Sequence, residues 1–251
     1  MYDLKDTINL YNLNKDHQNN IIITNLYDIP KKYLGRINQQ IIEQNKYKNI
    51  EKLNVNYNKK IWNVNHVKRT LKILNCSRES GIDQKGISEL NLIELYATKN
   101  EQIKDINHMK KTLKILYCGI SGTDQNGISE LNLIELYAKN NKEIKNVNHM
   151  KKTLKKLNCR GNSGIDQNGI AELNLIELCA SDNYKINNIN HMKKTLKKLY
   201  CCCNSEINQN GISELNLIEL YVEGNEKIKN INHMKDTLKI LYCSGNCDIP
   251  F

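Results

Sequence analysis

The sequence predicts an α/β solenoid, an open right-handed coil with a concave parallel sheet on one wall and short helical or 3-10 return segments on the other. Three observations predict it. From Ile50 onward one pattern recurs every 21 residues, opening at Ile50, Leu71, Leu92, Leu113, Leu133, Leu154, Leu175, Leu196, Leu217 and Leu238, with a single 20-residue copy at Leu113. Apolar residues hold positions 1, 4 and 6 of each copy, and the two-residue step from 4 to 6 is the pattern of a half-buried strand. The apolar spacing then lengthens to about three, as in Ile144, Val147 and Met150, which is the spacing of a helical or 3-10 return.

Residues 1–49 are expected to form an N-terminal cap, and residues 50–251 the ten repeats. In the cap, Asp28 and Pro30 precede Leu34, Ile37, Ile41 and Ile42. An N-cap, an early proline and helical apolar spacing predict a helix from about Lys31 to Asn45, with Ile21–Thr24 as a strand beside it. Ten strands at roughly 4.8 Å make an array about 43 Å long. The last copy stops at Asn246–Phe251 without a cap, so the final coil is expected to fray or to pair with another chain.

Two kinds of copy alternate. One carries Asn-His-Met or Asn-His-Val in its return, as at Asn148–Met150; the other carries a turn such as Asp166-Gln-Asn-Gly169, where Asp166 is placed to cap and Gly169 to relax a tight bend. Asparagine at position 9 recurs at Asn58, Asn100, Asn141, Asn162, Asn183, Asn204, Asn225 and Asn246, which predicts an asparagine ladder satisfying the backbone at each turn. Glu79 interrupts it, and the short copy has Ser121 near the place.

The motif L-x-x-L-x-[A/C/V]-x-x-N-x-x-I, spanning Ile50 to Ile249, resembles the leucine-rich repeat. The Ile165–Ile170 half is similar to the return of cysteine-containing leucine-rich repeats, the kind often attached to F-box proteins. Here, though, cysteine replaces the inward residue at position 6 and not the asparagine. The resemblance implies a curved parallel sheet whose concave face binds other proteins. Ile29-Pro-Lys-Lys-Tyr-Leu34-Gly-Arg-Ile37 resembles the opening of an F-box, which implies recruitment of a ubiquitin-ligase adaptor through residues 1–49. An F-box needs further helical residues than the thirteen before the repeats provide. A bias toward Asn, Ile and Lys is similar to that of repeat proteins of giant DNA viruses of amoebae, which would place the chain in host cytoplasm.

The chemistry that the residues exclude narrows the function. No signal-like stretch and no apolar run of spanning length is present, so an intracellular protein with no membrane partner is expected. Cys76, Cys118, Cys159, Cys201 and Cys243 occupy one register in alternate copies. Two inter-strand steps, nearly 10 Å, are beyond bridging distance, so these cysteines read as small buried hydrophobes in a reducing compartment. His66, His108, His149, His191 and His233 are equally spaced and lie in the return, away from the cysteines, so no metal site forms. Cys201–Cys203 with Cys179 lack a fourth zinc ligand. No catalytic residue, cofactor motif or nucleophile arrangement stands outside the repeat register, and an enzyme is not expected.

Charge and aromatic columns are the remaining candidates. The chain has 37 basic and 27 acidic residues, a net charge of +10. Position 19 alternates Lys68, Glu89, Lys110, Glu130, Lys151, Glu172, Lys193, Glu214 and Lys235, so each lysine is expected to have a glutamate above and below. The surplus sits at Arg69, Lys111, Lys152 and Lys194 and at Lys72, Lys114, Lys155, Lys197 and Lys239, a basic edge where strands begin. That edge suits weak, salt-sensitive attraction to nucleic acid or an acidic partner. Position 5 faces outward and carries Tyr96, Tyr117, Tyr137, Tyr200, Tyr221 and Tyr242; position 3 beside it carries Glu94, Glu135, Glu177 and Glu219. Tyrosine offers large contact area with a polar tip, so these two columns are the expected binding surface for a partner protein.

Overall fold

The structure, a computed structural model, describes residues 22–28 and 35–243. A strand of three residues forms in every copy, at positions 3 to 5 and so one residue earlier than the 4-to-6 step that predicts it: β2 (Lys52–Asn54), β3 (Ile73–Asn75), β4 (Glu94–Tyr96), β5 (Ile115–Tyr117), β6 (Glu135–Tyr137), β7 (Lys156–Asn158), β8 (Glu177–Cys179), β9 (Lys198–Tyr200), β10 (Glu219–Tyr221) and β11 (Ile240–Tyr242). The strand expected at Ile21–Thr24 lies instead at β1 (Asn25–Leu26), where it pairs with β2 as a further member of the sheet, which thus has eleven strands and not ten. All pair in parallel in chain order, and like positions face each other, as Tyr96 with Tyr117 and Tyr117 with Tyr137. The sheet stays open.

Each copy folds for the same reasons. Its position-4 leucine is buried between neighbours that face outward, which makes three residues of strand. The chain then reverses through a left-handed residue at position 8: Tyr57, Arg78, Lys99, Ile120, Asn140, Asp182 and Cys203 all have φ between 51° and 64°, and Gly161 and Gly224 lie near them in the same register. Such a φ turns the backbone sharply enough for position 9 to re-enter the core. The return is a single 3-10 turn, as in Asn148–Met150 and Asn168–Ile170. In the coil opening at Leu133, the side chains of Leu133, Leu136, Ala138, Ile144, Val147 and Met150 are all fully buried. Stacked on their neighbours, they join one core running from Leu26 to Met234.

Between coils, side chains bind backbone in both directions. In the histidine-bearing coils, Asn100 donates from Nδ2 to the carbonyls of Cys76 (2.9 Å) and Ile82 (3.0 Å) in the coil before, and Asn141, Asn183 and Asn225 repeat the pattern. Asn58 does the same toward Ile37 (2.9 Å). The ladder is therefore confined to alternate coils. Asn162 and Asn204 are exposed, because the amide of the next coil already occupies their turn; Ser163 and Ser205 lie buried there instead. Asn246 lies outside the described residues, as does the rest of the 246–251 tail.

The histidines also hold the coil before. Nε2 of His66, His108, His149, His191 and His233 lies 3.1–3.2 Å from the carbonyls of Ile42, Ile87, Ile128, Ile170 and Ile212, respectively, so each is a backbone donor. The preceding asparagine reaches forward: Asn148 donates to the Asn168 carbonyl (2.8 Å) and accepts from the Glu172 N–H (2.9 Å). In the intervening coils a glutamine clamps the coil ahead, as Gln167 Oε1 accepts from Asn187 and Asn188 and its Nε2 donates to the Asn188 carbonyl. Asp166 caps as expected, accepting from the Gly169 N–H at 2.9 Å. Gly169 serves a different purpose from the bend relaxation expected of it: a Cβ there would lie 2.0 Å from the Lys145 carbonyl oxygen, so glycine is required by coil-to-coil approach.

The segment before the repeats copies this logic. The helix expected over residues 31–45 is one turn, α1 (Gln39–Ile42), capped by Asn38 and not Asp28, followed by a 3-10 turn at Asn45–Tyr47. Residues 29–34, with most of the F-box-like motif, lie outside the described residues. Gln39 accepts from the N–H groups of Trp62 (3.0 Å) and Asn63 (3.2 Å), as Gln167 does one repeat unit after another, and Ile42 and Tyr47 are buried against the first coil.

Two substitutions test these assignments. Ile120 is a β-branched, exposed residue held at φ 51°; Ile120→Gly should raise the unfolding free energy by about 0.5–1 kcal/mol in urea denaturation, the relief of left-handed strain exceeding the entropy that glycine adds to the unfolded chain. Gly169→Ala should lower it by about 1–3 kcal/mol, because a carbonyl of the neighbouring coil must move.

Candidate functional site

Strand register turns the position-5 tyrosines into stacks. Centroids of Tyr96 and Tyr117 are 4.4 Å apart with an interplanar angle of 14°, and those of Tyr117 and Tyr137 are 4.0 Å apart at 1°. A second stack joins Tyr200 to Tyr221 at 4.2 Å and Tyr221 to Tyr242 at 4.7 Å. Asn158 and Cys179 separate the two. Spacing close to the inter-strand step forces ring on ring, so both stacks are rigid and present their edges outward. Tyr27, which sequence reasoning missed, leans on Tyr96 with centroids 6.0 Å apart. Its column position could not be read from the sequence because it precedes the first recognisable copy.

The glutamate column is tied to the tyrosines. Hydroxyls of Tyr96, Tyr137 and Tyr221 donate to Glu94 (3.2 Å), Glu135 (2.8 Å) and Glu219 (3.3 Å) two residues earlier. Lys156 pairs with Glu135 at 2.8 Å and Lys198 with Glu219 at 2.7 Å. Glu177 lies between those two lysines in the column and makes no ion pair among the described residues. Burial opposes ionisation of Glu135, but hydrogen bonds from Lys156 and Tyr137 outweigh it and hold the carboxyl below its ordinary value. Burial, then the neighbouring carboxylate and ring, push the Tyr137 phenol well above its ordinary range, and burial with the neighbouring Tyr27 does the same to Tyr96.

The other candidates resolve into structural roles. Cys76, Cys118, Cys159 and Cys201 are buried and free, with burial pushing the Cys76 and Cys118 thiols up to about 12. Burial lowers the His149 and His191 values, consistent with neutral imidazoles donating to carbonyls. No group of three or more metal-ligating side chains is assembled among the described residues, and no described helix is long and apolar enough to cross a membrane. In the position-19 column four lysines pair with the glutamate of the following coil only: Lys68 with Glu89, Lys110 with Glu130, Lys151 with Glu172, Lys193 with Glu214; Lys235 has no following glutamate in the column. The expected continuous ladder is thus a set of pairs. The forward asparagine bond explains the direction, since Asn148 anchors the Glu172 backbone over the coil that holds Lys151.

Eleven in-register parallel strands, 3-10 returns and a leucine core of this period define a leucine-rich-repeat solenoid. No family model matches the sequence, and no curated protein matches it. Solved structures do. The functional domain of InlJ from Listeria monocytogenes, described as including a cysteine ladder, superposes with a TM-score of 0.54 at 18% identity, covering 80% of this chain and 55% of that one. The Rad7 and Elc1 complex of yeast gives a TM-score of 0.44 at 14% identity, covering 82% and 71%. The chain therefore spans about half the length of the InlJ domain, and the likeness is one of fold.

The tyrosine shifts carry a pH dependence. Their folded values lie above the ordinary 10.0, so the stability they contribute is complete below pH about 10 and is lost as pH rises through the folded values. The urea midpoint should fall between pH about 9 and about 11.5, and Tyr137→Phe, which keeps the ring and removes the proton, should reduce that fall.

Proposed function

We propose that this chain is a non-enzymatic scaffold that binds a partner protein on the face of the sheet, concave in this fold, through the tyrosine stacks and the glutamate column. The observation that carries this reading is the pair of three-ring stacks. A core does not require them. Their ring edges and hydroxyls are held in place before a partner arrives, so little rotamer freedom is lost on binding. Glu177, lying between the stacks without an ion pair, adds a place for a partner cation.

Further features support the same reading. The periodic histidines and glutamines, with Asn100, Asn141, Asn183 and Asn225, are engaged in holding coils together, whereas the tyrosine stacks of the sheet face bond no neighbouring backbone. All eight described cysteines are free, as a reducing intracellular compartment maintains them. The packing of Ile42 and Tyr47 on the first coil supports a capping role for the segment before Ile50 rather than an adaptor-recruiting one.

A pull-down from native cells tests the reading. Changing Tyr117, Tyr137 and Tyr221 together to Ala should release the partner, each anchor being worth about 1–2 kcal/mol, while changing Lys111, Lys152 and Lys194 to Glu should leave it bound. Release by the lysine set alone would move the site to the basic edge.

A further inference from the structure

The residue that opens each strand, position 2 of the copy, forms a row with its own alternation. Ile93, Ile134, Ile176 and Ile218 hold it in the histidine-bearing coils after the first, which has Glu51, and lysines hold it in the coils between. The row is continuous in space. The N–H of Ile134 donates to the Lys114 carbonyl (2.8 Å), that of Lys155 to Ile134 (2.9 Å), that of Ile176 to Lys155 (2.8 Å), and that of Lys197 to Ile176 (2.9 Å). These isoleucines are 36–47% exposed while the leucines on either side of them are buried, so the core does not demand an apolar residue there.

Three lysines of the row are joined three residues earlier by a second lysine: Lys114 by Lys111, Lys155 by Lys152 and Lys197 by Lys194; Lys72 has Arg69 at that place, and Lys239, at the end of the row, has Asp236. None of the six lysines in these three pairs takes part in an ion pair among the described residues, whereas the adjacent Lys110, Lys151 and Lys193 each pair with a glutamate. This edge thus carries three pairs of lysines without an acidic partner, separated by exposed isoleucine.

We propose that this edge is a second binding surface, separate from the sheet face, and that its partner is an acidic amphipathic α-helix of another protein. Two coils advance about 9.6 Å along the row, close to the roughly 10.5 Å of seven helical residues. Apolar residues at every seventh position of a helix therefore rest on successive isoleucines, and acidic residues flanking them meet the lysine pairs. Ile93 to Ile218 covers six strand steps, about 29 Å, the length of a helix of roughly 20 residues. Charge complementarity and the interposed apolar positions both select this occupant. A phosphate backbone has no use for isoleucine between its cations. A bilayer favours projecting aromatic side chains at its interface, whereas these isoleucines are more than half covered.

The test uses the full chain and a labelled helix-forming peptide of about 24 residues, with leucine at every seventh position flanked by glutamates, and a scrambled peptide of the same composition. Anisotropy at moderate salt should show binding of the patterned peptide at least tenfold tighter than the scrambled one. I134S, I176S and I218S together should weaken it at least tenfold, and so should K152E, K155E, K194E and K197E together, with circular dichroism confirming that both variants stay folded. Tyr117, Tyr137 and Tyr221 changed to Ala should have no effect, which separates this surface from the sheet-face site. Equal binding of the two peptides, or full affinity in the serine variant, overturns the proposal. So does isoleucine-dependent binding of phosphatidylserine vesicles or of duplex DNA in place of the patterned peptide.

Discussion

Every coil of this protein has its backbone satisfied by the coils beside it. A strand of three residues and a single 3-10 turn leave most N–H and C=O groups of a copy without a partner inside that copy, and burying them unpaired would be costly. Parallel pairing in register supplies the strand wall. On the opposite wall the same task falls to side chains, and this explains how a chain with so many asparagines, glutamines and histidines nonetheless builds a continuous apolar core.

The unit of that bonding is two coils rather than one. Histidine-bearing coils reach backward with Asn141 and His149 and forward with Asn148, while the intervening coils reach forward with Gln167 and present glycine where the backbones approach most closely. A coil of either kind placed next to its own kind would duplicate some donors and leave other carbonyls unbonded. Alternation in the sequence is thus a packing requirement, and it has a consequence at the surface. Several outward columns inherit a two-coil period, seen in the Lys–Glu pairs, in the spacing of the glutamates on the sheet face, and in the isoleucine and lysine row beside the strand starts, whereas the tyrosine column runs through consecutive coils.

Electrostatics follows the same geometry. Position-19 lysines are neutralised by the coil ahead, at about half exposure, where each pair contributes only a few tenths of a kcal/mol. Lys156 and Lys198 are engaged with glutamates on the sheet face. Along the strand-entry edge, Lys111, Lys114, Lys152, Lys155, Lys194 and Lys197 have no ion pair among the described residues, so part of the net charge of +10 is displayed there as a periodic basic strip.

Much of this was legible before any coordinates. The 21-residue period, the short strand that opens each copy, the burial of Cys76, Cys118, Cys159 and Cys201, the capping by Asp166 and the outward tyrosines all follow from alternation and spacing within one copy, since those patterns state which side of the chain meets the core. Asn162 and Asn141 occupy the same position in that pattern, yet one lies in solvent and the other in the core. Tertiary structure decided between them, along with the one-way pairing of Lys151, the single-turn length of α1, the role of Gly169 and the position of β1 in the sheet. Each of these depends on what the neighbouring coil already places in the available space, and a single period of sequence contains no record of its neighbour's position.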